Sequence, residues 1–153
     1  MLRYFTIFVL GLVLCVNNLH SEDTALSVTV LAVLASQTKE EIEKPLVKIA
    51  EEARKKDPTL KGFELNRKTV ISIPMGETKK IPLAGDYFVE VTINAKPDAD
   101  GKVTMTIKPP KMDQITYSCL CDRFVCVVTD VTIGKNKERL IVAIMAKPCT
   151  LKK

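Results

Sequence analysis

Two neighbouring segments alternate between apolar and polar residues over most of their length, and this alternation restricts the fold more than any other feature of the chain. A period of two residues is typical of a β-strand that buries one face. The segment PDADG at 97–101 lies between the two and supplies turn residues, so together they are predicted to form a β-hairpin. The apolar positions of 86–95 and 102–108 are Tyr87, Val89, Val91, Ile93, Val103, Met105 and Ile107.

Other segments of the chain also have β-strand character. Strands are predicted at 63–67, 69–73 and 79–83, the first two either separate or continuous, and again at 115–121 and 124–131. The runs LSVTVLAVLA at 26–35 and LIVAIMA at 140–146 are almost wholly apolar. Such runs favour buried strands, with 140–146 at the centre of a sheet.

One helix is predicted, from about Pro45 to Lys56. Proline is favourable in the first helical turn, and four apolar residues then follow at helical spacing. A capping box is predicted at Thr38 and Glu41, within a short turn over 38–44. The predicted fold class is therefore α+β, with an N-terminal strand and one helix packed on a mainly antiparallel β-meander. The apolar helix positions are Leu46, Ile49, Ala50 and Ala53.

The first residues have the pattern of a secretory leader. Arg3 gives a positive start, 4–16 is uncharged and mostly apolar, and a polar segment ends at Ser21. We therefore predict a signal peptide at 1–21 with cleavage near Ser21, a single domain at 22–153, and a secreted or periplasmic mature protein with no transmembrane span. A lipoprotein anchored at Cys15 is the alternative, but Leu14 is large for the position before a lipidated cysteine.

Four cysteines follow this leader, and an even number in a secreted domain favours disulfides. The strands at 115–121 and 124–131 are predicted to form a hairpin about Asp122 and Arg123, which would place Cys119 opposite Cys126. Cys121 would then pair with Cys149, so the prediction is a domain stapled by two disulfides. A zinc site of four thiolates and four free thiols are the alternatives, although the spacing C-x-C and C-x4-C is poor for zinc.

The composition restricts the functional classes. The only histidine, His20, lies in the predicted leader, so nucleophilic schemes with a histidine base and histidine-ligated zinc sites are disfavoured. Asp98 and Asp100 resemble the start of a calcium loop, but the downstream glutamate is missing, which favours a plain hairpin turn. No catalytic, cofactor-binding or metal-binding residue is assigned.

The net charge of +5 is the excess of 23 basic over 18 acidic residues, and the basic residues are mostly lysines spread along the chain. Lysines without arginine clusters or interleaved aromatic residues argue against nucleic-acid binding. The sequence predicts a non-enzymatic secreted or periplasmic domain that binds an envelope protein or an anionic envelope surface, without a cofactor. The alternatives are a small hydrolase or lyase that uses carboxylates and lysines, and a redox or metal protein that uses the cysteines.

Several segments carry a resemblance at the level of pattern. They are VTVLAVLAS at 28–36, KKDPTLKGFEL at 55–65, PLAGD at 82–86, VTMTIKPP at 103–110 and ERLIVAIMAKPC at 138–149. With them the chain resembles small secreted bacterial proteins of unknown function from planctomycete-like genomes. The resemblance implies a secreted α+β domain and assigns no functional residue.

Overall fold

The computed structural model describes residues 25–148, so the predicted signal peptide and Cys149 lie outside the described residues. Within 25–148 no helix is long and apolar enough to cross a membrane. The elements in chain order are β1 (Ala25–Ser36), a 3-10 turn (Lys44–Leu46), α1 (Val47–Lys56), β2 (Gly62–Pro74), β3 (Thr78–Pro82), β4 (Phe88–Ala95), β5 (Lys102–Lys108), β6 (Ile115–Leu120), β7 (Val125–Ile133) and β8 (Glu138–Pro148).

The strands form two four-stranded antiparallel sheets. Sheet A has the order β2-β1-β8-β7, and sheet B has the order β3-β4-β5-β6. The chain begins in sheet A, crosses to sheet B for four consecutive strands, and returns to sheet A for β7 and β8. The structure is thus mostly antiparallel β-sheet with one short helix, consistent with the predicted α+β class.

The predicted hairpin between β6 and β7 is wrong. The two strands belong to different sheets, β6 to sheet B and β7 to sheet A. β7 pairs with β8 instead, with Val125 opposite Ile144. The chain changes sheets just after β6, where Cys121 donates its backbone N–H to Gly101 and Asp122 donates to Ala146. The single predicted meander is therefore divided: only sheet B is a meander.

Two apolar clusters hold the layers together. The larger lies between the sheets and includes the inward residues of the predicted hairpin, such as Val91 and Met105. The smaller lies on the opposite face of sheet A, where α1 covers it. Its fully or almost fully buried members include Leu31, Val33, Ala35, Leu46, Ile49, Ala50, Ala53, Leu60, Phe63, Ile141 and Ala143.

The helix begins as predicted, but without the predicted cap. Pro45 lies in the 3-10 turn, where its missing N–H costs no intrahelical hydrogen bond. The capping box at Thr38 and Glu41 does not form, because Thr38 lies in a loop after β1. There Ser36 Oγ accepts hydrogen bonds from the backbone N–H groups of Thr38 and Lys39, at 3.2 and 3.0 Å.

The two predicted strands at 63–67 and 69–73 form one continuous strand, β2. Its pairing with β1 shifts between Ala32 and Val33, so that Arg67 lies opposite Ala32 and Leu65 lies opposite Val33. Asn66 is the extra residue of this bulge. Because the bulge reverses the alternation, Leu65 packs against the helix-side cluster while Ile73 packs between the sheets.

Candidate functional site

The three described cysteines, Cys119, Cys121 and Cys126, have free thiols. The predicted pairing of Cys119 with Cys126 is not formed, because the hairpin on which it depended is absent. Cys119 lies on sheet B and packs against the cluster between the sheets, whereas Cys126 lies on sheet A and faces α1. The predicted pairing of Cys121 with Cys149 involves a residue outside 25–148 and stays a prediction.

Cys126 has the chemistry of a structural thiol. Its side chain is 7% exposed, and its Sγ lies 3.9 Å from the backbone oxygen of Ile49 in α1. Burial raises the pKa of the Cys126 thiol to about 11. The thiolate is the reactive form of cysteine, so a thiol that is protonated at neutral pH is a poor nucleophile.

Burial also raises the pKa of the Cys119 thiol, with a smaller contribution from neighbouring Cys121. The pKa of the Cys121 thiol is raised first by burial and then by the carboxylates of Asp122 and Asp98. All three shifts are opposite to those of an activated cysteine. The described cysteines therefore do not have the lowered pKa typical of a thiol oxidoreductase.

A groove of about 540 Å³ lies between α1 and the segment that leads into β7. Ile49, Phe124 and Cys126 contribute its apolar part, and Phe124 is 37% exposed. The other lining side chains are charged and of both signs. We call this the α1–β7 groove, and its lining residues are Lys48, Ile49, Glu51, Glu52, Asp122, Arg123, Phe124 and Cys126.

The groove lies beside an edge of sheet A. β7 has β8 on one side and, in the part of the chain that the structure describes, no strand on the other. The Nζ of Lys56, in the last turn of α1, donates a hydrogen bond of 2.5 Å to the backbone oxygen of Cys126. A lysine side chain from α1 thus satisfies this backbone carbonyl.

β7 is irregular beyond this point. Its pairing with β8 shifts between Val128 and Thr132, and buried Thr129 compensates for the interruption. Thr129 Oγ1 donates to the backbone oxygen of Leu140 at 2.7 Å and accepts from the N–H of Val131 at 3.2 Å. The regular part of the edge is therefore short and lies directly beside the groove.

A second cavity, of about 310 Å³, lies where the loop after β1 crosses the start of β2. Gly62 is required there, since a Cβ would lie 2.5 Å from the backbone oxygen of Lys39. Several glutamates line the cavity, and one of them, Glu138, is paired with Lys39 at 3.4 Å. No group of three potential ligand side chains within residues 25–148 is arranged to hold a metal ion.

The turn at 97–101 is a hairpin connection, as predicted. The Oδ1 of Asp98 accepts hydrogen bonds from the backbone N–H groups of Asp100 and Lys102, both at 2.9 Å. Gly101 has φ of 76°, a conformation that favours glycine. The carboxylate of Asp98 is thus used to close the turn between β4 and β5.

Sequence reasoning missed the groove. Phe124 follows a polar turn and has no periodic partner, while Lys56 is only the last residue of the predicted helix. Alternation in 124–131 could have separated Cys126 from Val127 by face, but no local signal indicates which layer covers which face.

Comparison with protein-family models, curated proteins and solved structures finds no match to the chain in any of the three.

Proposed function

We propose that the protein is a non-enzymatic domain of the secreted or periplasmic compartment, and that it binds an extended segment of an envelope or secreted protein. The segment joins sheet A as a strand beside β7, with side chains in the α1–β7 groove. The observation that carries this proposal is the position of the groove against the edge of β7 that no other strand within residues 25–148 covers.

The backbone of β7 supports such pairing. A residue in an antiparallel strand directs its N–H and its C=O to the same side. The oxygen of Cys126 accepts a hydrogen bond from Lys56 of α1, and we infer that it lies on the side of β7 away from β8. The N–H of Cys126 and both groups of Val128 would then share this outer side. An incoming strand would replace the ammonium group of Lys56 at the Cys126 oxygen and pair with Val128.

The groove supplies a means of selection. When a peptide adds to a sheet edge, main-chain hydrogen bonds give affinity and pockets for alternate side chains give specificity. Ile49 and Phe124 offer an apolar contact to one such side chain. The surrounding rim carries both acidic and basic groups, including Glu52 and Arg123, which favours a ligand with polar residues around one apolar anchor.

The other edge of sheet A, β2, is protected against such pairing. Ile42 forms a parallel bridge with Phe63, which covers the start of β2. Farther along, Arg67 and Lys68 are exposed, and charged side chains on an edge strand oppose strand addition. The contrast between a covered, charged edge and an edge beside a groove with an apolar part favours β7.

The compartment belongs to the same proposal. It rests on the leader pattern at 1–21 and on the four cysteines that follow it. An oxidising compartment would allow the domain to be stapled by a disulfide between Cys121 and Cys149.

The test is selection of a random peptide library displayed on phage against the purified protein. Peptides with one apolar anchor are expected, and Phe124→Ala is expected to weaken their binding about tenfold or more. Phe88→Ala is the matched control, because Phe88 is 38% exposed, close to the 37% of Phe124, but lies on sheet B.

Strand addition has a second signature, slower hydrogen exchange of the Cys126 and Val128 amides in the complex. Failure to select any peptide would contradict the proposal. Equal losses of binding in the Phe124 and Phe88 variants would also contradict it, because they would place the peptide elsewhere.

A further inference from the structure

We propose that two copies of this chain associate through the outer edge of β6, by antiparallel pairing that joins their B sheets into one continuous sheet. A two-fold axis passes beside Ser118, so the edge of one copy pairs with the same edge of the other. This association involves sheet B and does not depend on peptide binding at β7 of sheet A.

The outer edge of β6 lacks the usual protection of an edge strand. β6 pairs with β5 on one side, and no strand within residues 25–148 lies on the other. Natural edge strands are commonly protected against pairing by charged residues, prolines or bulges. Residues Ile115–Leu120 include neither a charged residue nor a proline, and the side chains of Thr116 and Ser118 are exposed.

The opposite edge of sheet B, β3, has the protection that β6 lacks. Leu83 donates its N–H to the backbone oxygen of Tyr87 at 2.8 Å, in the register of the β3–β4 pair. Hydrogen-bonded pairs alternate along an antiparallel ladder, so residues 78, 80 and 82 direct their backbone groups away from β4. Pro82 has no N–H to offer there, and Lys80 is exposed. An incoming strand is therefore opposed at β3 but not at β6.

The same alternation shows which backbone groups of β6 face outward. Cys121 donates its N–H to the backbone oxygen of Gly101 at 2.9 Å and continues the register of the β5–β6 pair. Odd-numbered residues of β6 therefore exchange hydrogen bonds with β5. Thr116, Ser118 and Leu120 direct both their N–H and their C=O away from β5.

A side-chain contact supports this assignment. Side chains lie closer together across a pair without backbone hydrogen bonds than across a bonded pair. Thr106 and Thr116 are opposite each other, and their hydroxyl oxygens are 3.2 Å apart. Within residues 25–148, no group forms a hydrogen bond with the outward backbone groups of β6.

These outward groups are self-complementary about Ser118. A two-fold rotation places Ser118 opposite Ser118 of the second copy, and Thr116 opposite Leu120 of the second copy. All three residues of each copy can then exchange both backbone hydrogen bonds with the other copy. A register displaced in either direction leaves one of the three without a partner in β6. Because a two-fold interface is closed, assembly ends at the dimer.

Charge complementarity favours the same arrangement. Asp113 precedes β6 and Arg123 follows it, at equal distances along the chain from Ser118, and both are exposed. Neither forms an ion pair within residues 25–148, whereas the neighbouring Asp122 is paired with Lys147. Antiparallel pairing about Ser118 brings Asp113 of each copy toward Arg123 of the other. The two-fold symmetry makes this attraction occur twice.

The inner face of β6 supplies an apolar part of the interface. Tyr117 and Cys119 pack against the cluster between the sheets but are only partly buried at this edge. In the proposed register, Tyr117 of each copy lies opposite Cys119 of the other, so both become more buried. The paired surface is one short strand from each copy, so we expect a weak dimer with a dissociation constant of roughly 10–100 µM.

The test is sedimentation velocity of the purified protein from about 1 µM to about 500 µM. A reducing buffer prevents covalent dimers through the cysteines. We expect monomer at the lowest concentration and dimer at the highest. Ser118→Lys places two ammonium groups opposite each other at the axis and should weaken association about tenfold or more. Thr104→Lys is the matched control, because residue 104 lies opposite Ser118 on β5, on the same face but away from the edge.

Exchange of charges tests the register. Asp113→Arg alone and Arg123→Asp alone should each weaken association roughly threefold or more, because each brings like charges together twice. The double variant restores opposite charges and should regain the affinity of the unsubstituted protein.

Amide hydrogen exchange measured by NMR identifies the edge directly. The amides of Thr116, Ser118 and Leu120 should exchange more slowly in concentrated than in dilute protein. The amides of Tyr117 and Cys119, which are bonded to β5 in each copy, should show much less dependence on concentration.

Three results would overturn the inference. They are a monomer at every concentration, association that Ser118→Lys leaves unchanged, and concentration-dependent protection at β2 or β7 instead of β6. Circular dichroism shows whether each variant is folded. Because sedimentation and amide exchange of the unsubstituted protein stand alone, an unfolded variant leaves the first and third results decisive.

Discussion

Sheets A and B have the same number of strands but very different surroundings. The central strands of sheet A are covered on both faces, by sheet B on one side and by α1 on the other, so that Val142 and Ile141 of β8 are both fully buried. Within residues 25–148, sheet B buries one face only. A strand buried on both faces needs apolar residues at successive positions, whereas a strand buried on one face alternates between apolar and polar residues. β8 shows the first pattern and β5 shows the second.

The outer face of sheet B is stabilised by polar contacts instead of a covering layer. Thr78, Thr92, Thr106 and Thr116 lie in register across all four strands. Hydroxyl groups hydrogen bond between Thr78 and Thr92 at 2.6 Å and between Thr106 and Thr116 at 3.2 Å. Such cross-strand pairs contribute roughly 0.2–1 kcal/mol each, much less than a buried apolar side chain.

The largest difference between the two sheets should be in how much the protein is destabilised by a charge placed on the face of each sheet that points away from the other sheet. Ala143→Lys places an ammonium group beneath α1, where residue 143 is fully buried, and is expected to lower the free energy of unfolding by more than about 4 kcal/mol. Thr104→Lys, on the outer face of sheet B, should change it by no more than about 1 kcal/mol. Urea denaturation of both variants measures the difference, and similar losses would show that α1 does not seal sheet A.

A smaller effect is expected from pH, through the thiol beneath α1. The pKa of Cys126 is raised from 9.0 to about 11, so above pH 9 the unfolded chain loses a proton that the folded chain keeps. The stabilising contribution is complete below pH 9 and is lost as the pH rises toward 11, by about 1.4 kcal/mol per pH unit.

Urea denaturation at pH 8, 9 and 10 for the unsubstituted protein and for Cys126→Ala measures this contribution. The difference in unfolding free energy between the two proteins should shrink as the pH rises. A constant difference would mean that Cys126 is open to solvent and that this face of sheet A resembles the outer face of sheet B.

The smallest effect is expected in the threonine row of sheet B. Thr106→Val keeps the β-branched shape but removes a hydroxyl that also accepts a hydrogen bond from Asn94 Nδ2 at 2.7 Å. Because the site is exposed to water, the loss in unfolding free energy should be at most about 1 kcal/mol. Thermal denaturation measures this loss, with Lys108→Ala on the same face of β5 as the control. A loss in unfolding free energy above about 2 kcal/mol would indicate that an additional partner buries the threonine row.

Much of the local structure could be predicted from the sequence. The alternation in 86–95 and 102–108 correctly indicated one buried face, and the apolar run at 140–146 correctly indicated a central strand. Pro45 indicated the start of the helical segment, and Leu46, Ile49, Ala50 and Ala53 form its buried face. These features depend on residues that are close together in the chain, so the local sequence pattern indicates them.

The candidate site could not be predicted in the same way. The α1–β7 groove brings together Ile49 and Phe124, which are far apart in the chain, and its edge exists only because β7 is the outermost strand of sheet A. The sequence predicts a pairing of Cys126 with Cys119 because a short polar segment between two strands usually joins a hairpin. Nothing local to Asp122 and Arg123 shows that the chain instead changes sheets there.

The positions of the strands and the helix, and the apolar faces of each, follow from local sequence, since period and turn chemistry are properties of adjacent residues. Which strand pairs with which, and which layer covers each face, depends on contacts between distant parts of the chain. Because β7 pairs with β8, the long apolar run of β8 lies between two strands, β1 and β7. β6 is then left at the edge of sheet B. That outcome depends on burial summed over the whole domain, which no short segment contains.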